Sequence, residues 1–220
     1  MIQRSGVQQL FATPVWATDL EPAYAQDLNA RLIASIQRLM GPQGELTIGR
    51  SNWQTDPVLH QLPDFAEFIG LVETAARGAA EYLKLRSRDL VVTGCWANYN
   101  PPGAHNPSHS HPNNYLSGVY YAAVAEGAAR IAFEDPRPQA QVMLPPVVEH
   151  TPYNGNIVLM EARPGRLLLF PAWLGHSVPV NRSSEVRISI SYNLMFRDYA
   201  EAISPPLWEG SSKVETPPQS

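Results

Sequence analysis

Two histidines stand one residue apart in the segment NPSHSHPNN, and a stretch of strand-forming residues follows them. Side chains at positions i and i+2 of a strand point to the same face, so His109 and His111 are predicted to lie side by side. Two protonated imidazoles at such close range would repel each other, whereas two neutral ones can share a cation. The spacing therefore predicts a metal site.

His176 is expected to complete this site from a distant part of the chain. In the segment RLLLFPAWLGHSVPVN, a strand ends at a proline, a short loop follows, and His176 comes near the start of the next strand. Enough strands separate His176 from His111 for the chain to fold back and bring them together. Imidazole ligands suit iron, zinc, copper and nickel.

Arg187 is the candidate for binding an anion. The segment EVRISISYN alternates strictly, with Arg187, Ser189 and Ser191 on one face and apolar residues on the other. In an isolated strand the polar face would meet water. If helices cover the apolar face, the polar face instead lines the cavity between two sheets. A guanidinium in such a cavity calls for an anion, and its planar fork fits a carboxylate.

The composition indicates one large globular domain, since 44% of the 220 residues are hydrophobic. A net charge of −4 argues against a general nucleic-acid surface, which needs a basic excess. The single cysteine, Cys95, excludes an intrachain disulfide, so a reducing compartment is the simplest expectation. We find neither an apolar run of membrane length nor a signal peptide, and we expect a soluble, cytoplasmic protein.

Two helices are predicted ahead of a series of strands. Apolar residues recur at helical spacing from Pro22 to the segment GPQG at 41–44, and again from about Asp64 to Leu85, while residues 10–20 are predicted to form a strand. Later segments are short, extended and punctuated by proline and glycine, which is typical of an all-β domain. Eight strands are predicted there, at residues 89–100, 115–124, 129–135, 141–145, 156–162, 166–172, 176–181 and 185–196.

These elements predict a mainly β fold with flanking helices. The expected architecture is a double-stranded β-helix, or jelly roll, with both helices packed on the outer face of one sheet. Residues 1–204 are expected to form a single domain, with a helical lead-in over 21–85 and strands over 89–196. Residues 205–220 have little to bury and are expected to form a C-terminal tail.

The C-terminal half of the chain resembles the ferrous iron- and 2-oxoglutarate-dependent oxygenases, especially the type related to prolyl hydroxylases. The resemblance covers roughly residues 94–196 and rests on four segments in the family's order: HSHPNNYLSGVYY, FEDPR, GRLLLFPAWLGHSV and VRISISYN. It implies an Fe(II) cofactor, 2-oxoglutarate as cosubstrate and dioxygen. The implied reaction is hydroxylation of an unidentified substrate, with decarboxylation of 2-oxoglutarate to succinate.

The resemblance also implies roles for individual residues. His109 would be the first metal ligand and His176 the distal histidine ligand, while Arg187 would pair with the C5 carboxylate of 2-oxoglutarate. Tyr121 occupies the place from which prolyl hydroxylases reach that carboxylate with a tyrosine hydroxyl. Further hydrogen bonds are expected from polar residues near the same cavity: Ser189 or Ser191, and Asn98.

One position departs from the family pattern. His111 stands where the family usually has a carboxylate ligand. A neutral imidazole in that place raises the net charge of the site by one. Either His111 binds the ion and completes a catalytic three-histidine set, which we favour, or it lies behind two binding histidines, as the resemblance to aspartyl β-hydroxylases allows.

Two other functions stay open at this point. Three imidazoles also match zinc sites of the carbonic anhydrase type, so a cupin-like zinc or nickel protein is the alternative: a hydrolase, an isomerase or a small-molecule binder. A structural or interaction module with a degenerate site is the third. The substrate is expected to be a small molecule or a peptide, with no nucleic acid or membrane partner, and a homodimer is compatible with the architecture.

Overall fold

The computed structural model describes residues 3–47, 52–128 and 130–203 of the chain. A strand and two helices precede most of the β structure, in agreement with the predicted mainly β class with flanking helices. The elements in chain order are β1 (Trp16–Asp19), α1 (Pro22–Thr47), β2 (Trp53–Gln54), α2 (Ala66–Tyr82), β3 (Leu90–Asn100), β4 (Asn106–His109), β5 (Leu116–Ala123), β6 (Arg130–Glu134), β7 (Ile157–Glu161), β8 (Arg166–Pro171), β9 (His176–Val178), β10 (Arg187–Phe196) and α3 (Arg197–Ile203).

The strands form two antiparallel sheets that face each other. The larger sheet has the order β1-β8-β5-β10-β3-β2, and the smaller sheet has the order β4-β9-β6-β7. A cluster of buried side chains fills part of the space between them, with Val119 and Phe170 from the larger sheet and Ile131 and Phe133 from the smaller. Two facing antiparallel sheets with this core are the predicted jelly roll.

Both long helices cover the outer face of the larger sheet, as predicted. Each helix has one apolar stripe that must be buried, and the outer face of the sheet is where α1 and α2 bury theirs. Leu32 of α1 and Phe68 of α2 belong to one buried cluster with Tyr120, Ile190 and Tyr192 of the sheet. The hydroxyl of Tyr120 also donates a hydrogen bond to the side chain of Asn29 at 2.6 Å, which ties α1 to β5.

This covering decides which way β10 faces. Ile188, Ile190 and Tyr192 are buried against the helices, so the alternate residues, including Arg187 and Ser189, point between the two sheets. The polar face of this strand therefore lines an internal cavity.

Two expectations about the elements need correction. Residues 141–145 are not a strand: a 3-10 turn at Pro138–Gln141 ends there, and Val142, Met143 and Leu144 are exposed. Pro145 and Pro146 have no backbone N–H to donate to a neighbouring strand, so the apolar character of this segment is not enough to make it a strand. The helix expected to end at GPQG is broken at Gly41, whose φ of 59° is left-handed, but helical turns resume as far as Thr47.

The single domain over residues 1–204 stays a prediction, and the tail expected at 205–220 lies outside the described residues. Among the residues that are described, no helix combines the length and the apolar character needed to cross a membrane.

Gly118 of β5 has no room for a side chain. A Cβ atom at this position would collide with the carbonyl oxygen of Leu168 and with the ring of Tyr192. Neither neighbour can move easily, because the Tyr192 hydroxyl donates a hydrogen bond of 2.8 Å to that same carbonyl oxygen. The position therefore requires glycine for space, not for backbone conformation.

We predict that Gly118→Ala lowers the free energy of unfolding by about 2–3 kcal/mol, the usual cost of overpacking a rigid core. Gly78→Ala in α2 is the matched control. A Cβ at Gly78 meets nothing within 4 Å, so alanine there is expected to stabilise the helix by about 0.5–1 kcal/mol. Urea denaturation measures both, and a Gly118→Ala variant as stable as the parent would contradict the packing described.

Candidate functional site

A cavity of about 360 Å³ lies between the two sheets. All residues that the sequence singles out as candidate site residues line it: His109, His111, His176, Asn98, Tyr121, Arg187 and Ser189. They form two groups, a cluster of three histidines and a set of polar side chains around Arg187.

Pairing of β4 with β9 brings the distant histidines together. His109 and His176 are direct partners in that antiparallel pair, and their ring centroids are 4.4 Å apart. His111 approaches from the connection that follows β4, with its ring centroid 5.0 Å from His109 and 5.2 Å from His176. One ligand atom from each of the three residues lies within 4.8 Å of the others. This geometry suits a single ion held by three imidazoles.

The three histidines converge as predicted. Strand alternation, the predicted reason why His109 and His111 lie together, is wrong. β4 ends at His109, so His109 and His111 do not share a face of one strand. His111 is instead held by its backbone N–H, which donates to the carbonyl of Ala172 at 2.8 Å. A link to the turn before β9, not strand alternation, places its ring beside the other two.

Two of the rings are oriented by backbone carbonyls. Nδ1 of His109 lies 2.9 Å from the carbonyl oxygen of Pro107, and Nδ1 of His176 lies 2.9 Å from that of Leu174. If each Nδ1 donates its proton there, each Nε2 keeps a free lone pair, which is the usual arrangement of metal-binding histidines.

Burial favours the neutral form of the His111 and His176 imidazoles. Desolvation, with smaller contributions from the neighbouring rings of His176 and His109, lowers the pKa of His111 to about 4. Desolvation also lowers the pKa of His176, against a smaller opposing effect of the Leu174 carbonyl. Neutral imidazole is the form that binds metal ions, so these two residues need no deprotonation near pH 7.

Among the described residues, the only group of histidines, cysteines and carboxylates with metal-binding geometry is this set of three histidines. Asp135, which follows the FEDPR strand end, forms an ion pair of 2.7 Å with Arg137 instead. The donor set therefore fits a divalent ion that accepts imidazole, such as iron or zinc, and it lacks the carboxylate that the family usually supplies.

Among the described residues, three buried hydrogen-bond donors that line the cavity have no partner. Nη2 of Arg187, the hydroxyl of Tyr121 and Nδ2 of Asn100 are all buried and unbonded. Arg187 is only 1% exposed, and the one hydrogen bond of its side chain to a described residue is a long contact of 3.4 Å to the carbonyl of Ala128. Buried donors of this kind are costly unless an acceptor meets them. Their common acceptor would be an anion with several lone pairs, such as a carboxylate.

Protonation keeps these groups as donors. Burial raises the pKa of Tyr121, although the nearby Arg187 acts in the opposite direction, so its phenol stays protonated. Burial lowers the pKa of Arg187, against the opposing effect of Tyr121. An arginine starts from so high a pKa that its guanidinium remains a cation in proteins.

The register of the larger sheet places the donors side by side. Asn100 of β3 is the direct cross-strand partner of Arg187 of β10. Ser189 of β10 has Asn98 on one side and Tyr121 of β5 on the other. Directly opposed side chains on one face lie about 5 Å apart, so a small ligand can reach all of them.

Asn98 is engaged in a different way from Asn100. Its Oδ1 accepts a hydrogen bond of 2.6 Å from Gln54, and its Nδ2 donates one of 3.0 Å to the hydroxyl of Ser191. This chain of three side chains crosses from β2 to β10 along the cavity wall. The role predicted for Asn98 in cosubstrate binding stays a prediction.

Asn100, Trp96 and Gln54 are among the cavity residues that are absent from the predicted site. Asn100 and Trp96 share the inward face of β3 with Asn98, so alternation along that strand was the signal that could have found them. Gln54 belongs to a strand of two residues in an irregular connection, and nothing local in the sequence marks it.

Comparison with known families agrees with this geometry. Residues 94–193, a little under half of the chain, match the family model described as "Putative 2OG-Fe(II) oxygenase". The matched stretch coincides closely with the four segments on which the sequence resemblance rests. No curated protein matches the chain.

Several solved structures share the fold at low sequence identity. A prolyl-4-hydroxylase from Pseudomonas putida is 17% identical with a TM-score of 0.53, and the match covers 84% of this chain and 94% of that one. The epimerase SnoN of nogalamycin biosynthesis, in complex with Fe3+, alpha ketoglutarate and nogalamycin RO, is 13% identical with a TM-score of 0.59, over 84% and 79% of the chains. EvdO2 from Micromonospora carbonacea var. aurantiaca, complexed with 2-oxoglutarate, is 14% identical with a TM-score of 0.51, over 78% and 82%. These likenesses confirm the predicted double-stranded β-helix.

The unpaired state of Arg187 leads to a stability prediction. A buried cation without a partner disfavours folding, so Arg187→Met, measured without 2-oxo acids, is expected to keep or raise the free energy of unfolding, by up to about 3 kcal/mol. Arg166→Met is the matched control, because Arg166 pairs with Asp19 at 2.7 Å and its loss is expected to destabilise. Chemical denaturation of both variants is the measurement. A clear loss of stability in Arg187→Met would show that the guanidinium has a partner inside the protein.

Proposed function

We propose that the protein is an iron- and 2-oxoglutarate-dependent hydroxylase, because residues 94–193 match the family model described as "Putative 2OG-Fe(II) oxygenase". One observation carries the proposal: a cluster of three imidazoles and a group of unpaired buried donors line the same cavity. The first suits a ferrous ion, and the second suits the remote carboxylate of a dicarboxylic 2-oxo acid.

The residues divide into two binding functions. His109, His111 and His176 would hold Fe(II) through one nitrogen each. Arg187 and Tyr121, joined by Asn100, would bind the C5 carboxylate of 2-oxoglutarate. A carboxylate offers about four lone-pair positions, so it can accept the guanidinium, the phenol and the carboxamide together. Ser189 lies between these groups and is expected to add a hydrogen bond.

Iron and 2-oxoglutarate, when bound, supply the oxidising power to insert an oxygen atom from dioxygen into a C–H bond, while 2-oxoglutarate becomes succinate and carbon dioxide. The protein positions the cosubstrate and excludes water. The buried donors would hold the C5 carboxylate of the cosubstrate, and the histidines that line the same cavity would hold the iron. Val119, Ile131 and Phe170 form an apolar wall that keeps water away from this part of the cavity.

The cavity wall also limits the substrate. Among the residues that line it, Arg187 is the only arginine, and lysine and carboxylate side chains are absent. Once Arg187 is neutralised by the cosubstrate and the imidazoles hold the metal, no charged side chain remains there to pair with a substrate ion. We therefore propose that the group to be hydroxylated is uncharged, whether it belongs to a small molecule or to a peptide.

A cupin-like zinc or nickel protein is the rival function, and the three-imidazole set without a carboxylate favours it. The two proposals differ in what they require of Arg187. A zinc hydrolase or isomerase has no use for unpaired donors deep in the cavity, whereas a 2-oxoglutarate enzyme needs them. Stoichiometric zinc in protein purified without added metal, together with no affinity for 2-oxoglutarate, would support the rival.

The direct test is anaerobic reconstitution with Fe(II), followed by addition of 2-oxoglutarate and air. Succinate is expected to form slowly even without substrate, and only with iron present. Alanine variants of His109, His111 and His176 are expected to lose most of their metal, because two imidazoles hold a divalent ion far more weakly than three. His150→Ala, at an exposed histidine away from the cluster, is the control and is expected to keep full metal content. Full metal content in all three cluster variants would overturn the proposed site.

A second test separates the two asparagines of β3. Asn100→Ala is expected to raise the KM or Kd for 2-oxoglutarate by about 10- to 100-fold, because a hydrogen bond to a charged group contributes about 1.5–3 kcal/mol. Asn98→Ala is the matched variant, and a smaller effect is expected because Gln54 and Ser191 already engage its carboxamide. Equal affinity for 2-oxoglutarate in the parent and in Asn100→Ala would remove Asn100 from the binding group.

A further inference from the structure

The three histidines are not held in the same way. His109 and His176 lie in paired strands, and each has its Nδ1 2.9 Å from the carbonyl oxygen of the residue two positions earlier. Strand pairing and this contact together fix both the backbone and the ring plane. These two imidazoles are therefore oriented before any ion binds.

His111 is held by its backbone but not by its ring. Its backbone N–H is bound to Ala172, but it lies outside the strands, and neither ring nitrogen has a hydrogen-bond partner among the described residues. Rotation of an imidazole about its last side-chain torsion is broad and roughly two-fold. Without a second contact, Nδ1 and Nε2 would exchange places, and the ring would point at the ion for only part of the time.

Trp96 supplies a contact of another kind. Its ring centroid lies 5.8 Å from that of His111 at an interplanar angle of 49°, and among the described residues only the other two histidines also make ring contacts with His111. Trp96 is fixed on the long strand β3, opposite Ser191 of β10, and it faces the cavity. A rigid aromatic wall thus stands beside the one imidazole that lacks a carbonyl partner.

We propose that Trp96 is the positioning residue for His111: its ring restricts the rotation of the imidazole so that one nitrogen is directed at the ion shared with His109 and His176. The inference rests on the proposed function, since it presupposes metal binding by the three histidines. It assigns to an aromatic side chain the task that hydrogen bonds perform at the other two positions.

Loss of an orienting group beside a metal ligand usually weakens metal binding by about 10- to 100-fold. We expect Trp96→Ala and Trp96→Leu to fall in this range. Trp96→Leu keeps apolar volume but has no aromatic ring, so it separates positioning from simple covering of the site. Trp96→Phe retains a ring and is expected to keep the affinity within about threefold of the parent.

The test is a double-mutant cycle between Trp96 and His111, read as affinity for Co(II) in the full-length protein. If Trp96 acts through His111, Trp96→Leu weakens Co(II) binding in the parent but adds no more than about threefold in the His111→Ala background. The ligand-field absorption of Co(II) in Trp96→Leu is also expected to move towards that of His111→Ala. Trp16→Ala, the same kind of loss at a tryptophan that packs on Tyr82, is the control and is expected to leave Co(II) affinity unchanged.

Each outcome has one meaning. Equal loss from Trp96→Leu with and without His111, or no loss at all, overturns the positioning role and leaves the proposed function intact. Failure of the parent protein to bind Co(II), or no effect of His109→Ala and His176→Ala, overturns the proposed function instead. Circular dichroism verifies that each variant is folded, and Trp96→Leu and Trp96→Phe carry the test if Trp96→Ala does not fold.

Discussion

Packing of two helices on one face of the larger sheet is the constraint on which the site depends. It buries the isoleucines and the tyrosine of β10 on the helix side, and strand alternation then leaves Arg187 no direction except the space between the sheets. Within the part of the chain that the structure describes, this guanidinium has no carboxylate partner, and a phenol and a carboxamide beside it are also unbonded. Because the helices cover the outer face of the larger sheet, its inner face carries hydrogen-bond donors that lack acceptors among the described residues. Such a group of donors can bind an anion.

The smaller sheet supplies the second half of the site through strand pairing and contacts with backbone carbonyls. Pairing β4 with β9 places two histidines opposite each other, and local contacts with preceding carbonyls fix their rings. The third histidine joins from a connection that is tied to the turn before β9. The resulting cluster has three imidazoles where the resembled family has two histidines and a carboxylate. A metal site built from these three histidines would carry a charge higher by one than the family pattern.

Much of this could be predicted from the sequence, because it follows from local patterns. Strict alternation in EVRISISYN gave the inward row of β10, and the helical stripes indicated what covers the other face. The family resemblance, and no local pattern, predicts Tyr121 in the cavity, because an irregular connection separates β4 from β5. The strand predicted at residues 141–145 is wrong, because an apolar run alone does not determine a strand. Gln54 was missed because only the sheet register, a long-range property, brings it beside Asn98.

The most direct measurement is a crystal structure of the protein with Mn(II), a redox-silent substitute for iron, and N-oxalylglycine, which replaces 2-oxoglutarate. The account predicts one anomalous peak at about 2.0–2.3 Å from a nitrogen of each of His109, His111 and His176. It also predicts the remote carboxylate of the inhibitor within hydrogen-bond distance of Arg187, Tyr121 and Asn100. An ion bound elsewhere, or an inhibitor whose carboxylate leaves Arg187 unpaired, would contradict it.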